Sequence, residues 1–251
     1  MQRRGEMLSM SSRNTPYVAA LAVLFMGSPL IVACGSQSKI IQQLSHLGSD
    51  KNARHTKAIE VNKINADTYY KRGVSKGELE DYQGAISDYT KVIEIEPRYV
   101  SAYFNRGAAR QKLMNYQGAI SDYTKVTEIR PQYAAAYSNR GVAKGKLRDY
   151  QGAISDYNNA LEINPRYTAA FVNRGGAKEA LEDYQGAISD YNKAIDIDPQ
   201  DGAAYFNRGG IKLDIGDRKN ACIDFKKAAS LGNDFSVQWL NEAMLTAGAA
   251  T

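Results

Sequence analysis

The chain has 251 residues, of which 43% are hydrophobic and 24% charged, with a net charge of +5; this is the composition of a folded chain rather than a disordered one. The excess charge sits at the N-terminal end: residues 1–33 carry Arg3, Arg4 and Arg13 against Glu6, residues 34–65 add five basic and two acidic groups, and everything after is balanced. A neutral body has no field with which to release counterions from a polynucleotide, so nucleic acid is excluded as a partner.

In chain order, Tyr17 to Ala33 is uncharged and follows the three arginines, the basic n-region and apolar h-region of an export signal. Its seventeen residues are at the lower limit for crossing about 30 Å of hydrocarbon, and Gly27-Ser28-Pro29 interrupts it. Removal is therefore a simpler reading than a membrane span, and residues 1–33 are assigned to a signal peptide. Arg3-Arg4 lacks the hydrophobic continuation of a twin-arginine signal. Residues 34–65 are mostly polar and read as a tether. His46 and His55 stand nine apart in it without cysteine or clustered carboxylates, so no metal site is expected. Cys34 and Cys222 lie in different kinds of segment and are not expected to pair.

Beyond Asn65, the segments AISDYTKVIEIEPRY, AISDYTKVTEIRPQY, AISDYNNALEINPRY and AISDYNKAIDIDPQD recur at intervals of 34 residues. They mark five units, 66–99, 100–133, 134–167, 168–201 and 202–235, followed by residues 236–251, where Val237, Leu240, Ala243 and Met244 at helical spacing read as a half-unit capping the last apolar face. Counting positions 1 to 34 in each unit, Gly recurs at 8 and Ala at 20, small enough to let two helices approach, with aromatics at 4 and 24 filling the space around them. Asp or Asn at 16 caps the second helix, and Pro at 32 ends it in the first four units. Cys222 takes a position held elsewhere by Ile and reads as core filler.

Basic residues recur at positions 7 and 11, one helical turn apart, and Asp at 23. A basic stripe invites an acidic ligand, but an Asp for every Arg favours internal pairing. The repeats contain no histidine and one cysteine, and their acids recur in register rather than in one cluster. No cofactor and no enzymatic activity are expected.

The pattern resembles the tetratricopeptide repeat family from Ala66 to Phe235. The resemblance implies an all-α fold, a right-handed α-solenoid of five helical hairpins plus a C-terminal capping helix, serving as a protein-interaction scaffold. In similar arrays positions 2, 5, 6, 9, 12 and 13 of the first helix line a concave surface, where asparagine ladders hold the backbone of an extended peptide. Here position 6 is Lys71, Asn105, Asn139, Asn173 and Asn207, and position 5 includes Tyr70, Phe104 and Phe206; these are the expected peptide-binding residues. An amide both donates and accepts, which suits a peptide unit; solvated polar decoration is the alternative. The family's carboxylate-binding clamp needs Lys at 5 and Asn at 9 of one repeat, and neither is present.

Ile31-Val32-Ala33-Cys34, directly after the h-region, resembles the lipobox of bacterial lipoproteins. That implies lipidation of Cys34 and a membrane-anchored place in the bacterial cell envelope; conventional cleavage and an uncleaved anchor are the alternatives. The expected function is an exported adaptor for a protein or extended peptide, assisting assembly of an envelope complex, with a self-associating structural module as the second reading.

Overall fold

The structure is a computed structural model that describes residues 51–240, with side chains from 60 onward. The chain divides into two units, Met1–Ile64 and Asn65–Thr251, and the export signal and Cys34 lie outside the described residues. Ten helices follow one another: α1 Lys51–Glu78, α2 Tyr82–Ile95, α3 Val100–Lys112, α4 Tyr116–Ile129, α5 Ala134–Lys146, α6 Tyr150–Ile163, α7 Thr168–Ala180, α8 Tyr184–Ile197, α9 Gly202–Asp214 and α10 Arg218–Ser230. A further helical stretch occupies 234–240. From residue 65 the helices pair into five consecutive hairpins, each packed on the next, the all-α solenoid expected from the repeats.

Each hairpin turn is built by the same device. The first helix ends in a Schellman motif: the N–H groups of Asp81, Asn115, Asp149, Asp183 and Asp217 donate to the carbonyls of Lys76, Arg110, Lys144, Lys178 and Lys212 at 2.8–3.0 Å. The same Asp or Asn then caps the second helix, its side chain accepting from the backbone N–H three residues on, worth about 1 kcal/mol per cap. The residue between is left-handed, Glu80, Met114, Arg148, Glu182 and Gly216 at φ of 58 to 87°. The second helix of repeats one to four stops before proline, where Glu96, Arg130, Asn164 and Asp198 turn extended, as a residue preceding proline must.

Inside each hairpin the small residues create the close approach. A Cβ added to Gly73, Gly107, Gly141, Gly175 or Gly209 would meet the ring of Tyr89, Tyr123, Tyr157, Tyr191 or Phe225 at 2.7–3.0 Å. Those rings are buried, together with the alanines at position 20. The tyrosines at positions 4 and 17 are half-buried; at position 4, Tyr69, Tyr137 and Phe171 pack against the core, so position 4 borders the core rather than filling its centre.

Two boundaries differ from the sequence reading. The segment assigned to a polar tether is helical from Lys51, because no Gly or Pro occurs between Lys51 and Arg72 to stop a helix continuing into repeat one. At the other end, Asn233 stands where the earlier repeats have Pro, and its side chain accepts from the Ser236 N–H at 2.9 Å and the Ser236 hydroxyl at 3.0 Å. It is the N-cap of the last helical stretch, which consequently starts at 234 rather than 236.

Candidate peptide-binding face

The two basic positions of each first helix converge on one buried carboxylate. In repeat three the Arg140 guanidinium grips Asp156 through Nε at 3.0 Å and Nη2 at 2.6 Å, and Lys144 Nζ approaches the same carboxylate at 2.8 Å. The trio recurs as Arg72–Asp88–Lys76, Arg106–Asp122–Arg110, Arg174–Asp190–Lys178 and Arg208–Asp224–Lys212. Every Asp is buried. Each Arg also lies over the aromatic ring at position 4 of its own helix, 5.2–5.5 Å from the centroid. The position-4 rings are thus covers for guanidinium groups, a role their three-residue spacing from Arg signals.

The expected peptide-binding residues fall on the first helices in register. Asn105, Asn139, Asn173 and Asn207 are half-buried and Lys71 is exposed. The amides are not all idle: Asn105 Nδ2 donates to the Tyr70 hydroxyl at 3.0 Å. Burial pushes the Tyr89 phenol up to about 12 and raises Tyr123 further, while hydrogen bonds from Asn105 and Asn139 pull each partly back. These phenols stay protonated at neutral pH and act as hydrogen-bonding groups beside the ladder.

Tyr70, Phe104 and Phe206 are drawn into aromatic clusters. Tyr70 meets Tyr99 at 5.2 Å and Tyr89 at 5.9 Å; Phe104 stacks on Tyr133 at 5.1 Å and meets Tyr123 edge-on at 5.6 Å; Phe206 meets Phe225 at 5.7 Å and Phe235 at 6.1 Å. Each is half-buried, so each offers one surface outward while the other is engaged in packing. Sequence reasoning passed over position 34, although Tyr99, Tyr133 and Tyr167 recur there. At position 12, one of the expected concave-surface positions, Gln111 and Glu179 accept from the Tyr123 and Tyr191 hydroxyls at 3.4 Å, a partnership the sequence did not signal.

The ladder has a defined end. Each Asn lies six residues beyond the N-cap of its helix, Tyr99, Tyr133, Tyr167 or Asp201. Six residues beyond Asn233 comes Trp239, whose ring centre is 4.3 Å from that of Phe225. An indole on a phenyl ring replaces the amide beside a phenol, and the polar row stops at repeat five.

This architecture is that of a helical-repeat scaffold, and the chain belongs to the tetratricopeptide repeat family. Models of that repeat match residues 134–167, 100–133 and 202–234, and a further TPR repeat model matches 75–113 and 179–216. No curated protein sequence matches. Among solved structures the chain is similar to MamA, with 28% identity, a TM-score of 0.61, and 66% of this chain and 91% of that one covered. It also shares the fold of MamA from Desulfovibrio magneticus RS-1, with 22% identity, a TM-score of 0.63 and coverage of 68% and 96%. The same holds for YrrB, described as a TPR protein with an unusual peptide-binding site, with 22% identity, a TM-score of 0.60 and coverage of 74% and 97%.

Proposed function

We propose that this protein is an adaptor that binds an extended peptide or a protein partner along the asparagine face of its first helices. In the same reading it is exported, anchored through lipidated Cys34 in the bacterial envelope, and assists assembly of an envelope complex. One observation carries the binding role: the Asn row remains half-exposed in four consecutive repeats while the neighbouring Arg, Lys and Asp are committed to one another. Amides at one-repeat spacing can exchange paired hydrogen bonds with a peptide backbone, and the aromatic clusters beside them offer apolar surface to its side chains.

The test begins with crosslinking in the native cell and recovery of the bound partner, then calorimetric titration against Asn139→Ala, Asn173→Ala and the double variant. Each single change is expected to weaken binding about 5- to 30-fold, with Asn173 the cleaner site because Asn139 also serves Tyr123. A double variant that binds as tightly as the parent would place recognition elsewhere. For the anchor, labelled palmitate should enter the protein and vanish in Cys34→Ser; label persisting in that variant would remove the lipoprotein reading. Stable anchoring takes more than one acyl chain, which this type of modification supplies.

A further inference from the structure

Every hairpin turn carries an outward apolar side chain: Leu79, Leu113, Leu147, Leu181 and Ile215 are 39 to 81% exposed. The next residue is the left-handed one, and in repeat two it is Met114, 73% exposed at φ 58°. Gly216 fills that place in repeat five, so the fold accepts the unstrained residue there, yet four repeats keep a side chain in a backbone conformation that disfavours one. Which side chain they keep is sorted by charge. Repeats one and four place Glu78, Glu80 and Glu182 beside their leucines, whereas repeats two and three place Lys112, Lys146 and Arg148 around Leu113, Met114 and Leu147.

All three of these cations are exposed, and none forms an ion pair among the described residues. The neighbouring Arg110 and Lys144 are different, being held by Asp122 and Asp156. The single acid at the two tips, Asp149, is occupied in capping α6. Consecutive first helices α3 and α5 touch, and each tip follows the C-terminal end of its helix. Because each repeat is rotated slightly on its predecessor, a flat surface meets two neighbouring tips rather than the whole row.

We propose that the turn tips of repeats two and three dock on an anionic lipid surface. Leu113, Met114 and Leu147 enter the headgroup boundary, and Lys112, Lys146 and Arg148 sit among the phosphates, the combination that binds peripheral proteins to acidic bilayers. A bilayer accepts separate convex points, whereas a stable protein interface needs a continuous complementary area of roughly 800 Å² per partner; tips whose apolar side chains are followed at once by exposed polar residues, Asn115 and Gln117 in repeat two, supply the former. This contact is independent of the asparagine face and leaves that face open to a partner.

The experiment uses the full chain, mixed with an excess of vesicles in every arm. In a Cys34→Ser, Cys222→Ala background, an environment-sensitive fluorophore is placed at Gln117→Cys beside the tips or at Ser155→Cys on α6; both positions are exposed. On vesicles of phosphatidylcholine with phosphatidylglycerol, bilayer-borne nitroxide should quench position 117 several-fold more than position 155. The difference should disappear on phosphatidylcholine alone and in the Lys112→Glu, Lys146→Glu, Arg148→Glu variant. Equal quenching at both positions on anionic vesicles overturns the proposal, as does quenching at 117 that survives the triple charge reversal. Shielding of position 117 by an acidic protein, with no quenching from the bilayer, would assign the tips to a protein instead.

Discussion

Repeats one and three contain the same Arg–Asp–Lys trio, yet the Arg72 side chain is 54% exposed and that of Arg140 only 14%. The difference lies in what stands before each. Arg140 Nη1 also donates to Thr124 at 3.2 Å and to Thr127 at 3.1 Å, both on α4 of the preceding hairpin. Arg106 reaches Thr90 at 3.0 Å, Arg174 reaches Asn158 at 2.6 Å and Arg208 reaches Asn192 at 2.6 Å in the same way. Arg72 shows no such third partner among the described residues. One guanidinium therefore joins the two helices of its own hairpin through Asp and ties that hairpin to the one before it through a hydroxyl or amide. A repeat reaches its full set of polar contacts only when another precedes it, which is nearest-neighbour coupling in a solenoid expressed in single atoms.

The largest expected effect compares the two trios directly. Asp156→Ala leaves Arg140 and Lys144 without their buried counter-charge and should cost about 3 kcal/mol in chemical denaturation. Asp88→Ala leaves Arg72 half in water and should cost about 1 kcal/mol. Equal losses would mean that the preceding hairpin adds nothing to the pair. Next comes a change expected to treat both repeats alike: Gly141→Ala and Gly73→Ala each push a Cβ into a buried ring of the same hairpin and should each cost about 2 kcal/mol. A large difference between these two would trace the contrast to packing rather than to the guanidinium.

A smaller effect isolates the tie between repeats. Thr124→Ala should lower stability by about 1 kcal/mol, and native-state hydrogen exchange should show the loss in repeats two and three together rather than in repeat two alone. The smallest is a pH effect read in repeat one. Burial alone would raise the Asp88 carboxyl, but hydrogen bonds from Arg72 and Lys76 outweigh it and hold the group below the ordinary carboxylate range. A carboxylate depressed in the folded state adds stability that is complete above its unfolded value, near ~4, and is lost as pH falls through the folded value. Acidification below ~4 should reduce exchange protection in α1 and α2, and Asp88→Asn should flatten that dependence; an unchanged profile in the variant would remove Asp88 as its source.

Much of this was legible in the sequence because the repeat puts the same constraint at the same spacing several times over. Gly at position 8, Tyr at 24 and the Asp or Asn cap at 16 each have a local or within-hairpin cause, and the pairing of Arg with Asp followed from their equal numbers. The Thr and Asn acceptors of Arg were hidden because they belong to the neighbouring unit and look like ordinary surface residues of the second helix. The Asn105–Tyr70 hydrogen bond was hidden for the same reason: it joins residues 35 positions apart across two repeats. Asn233 takes the place of the closing proline, and its capping role was legible only as an Asn standing directly before the helically spaced residues that follow. The left-handed turn residues carried no sign at all in four repeats, since the Gly that would have announced them occurs only at Gly216.

Trp239 gives the molecule a built-in optical probe with a known address. It is the only tryptophan in the chain, and it sits against Phe225, at the junction between the fifth hairpin and the helical stretch that follows. Its emission colour and quenching report the closing of that last junction, while circular dichroism averages over all the helices. In an array coupled only through neighbours, the two signals coincide when unfolding is concerted and separate when the array peels from its C-terminal end. The direction of fraying can thus be read from the unmodified protein.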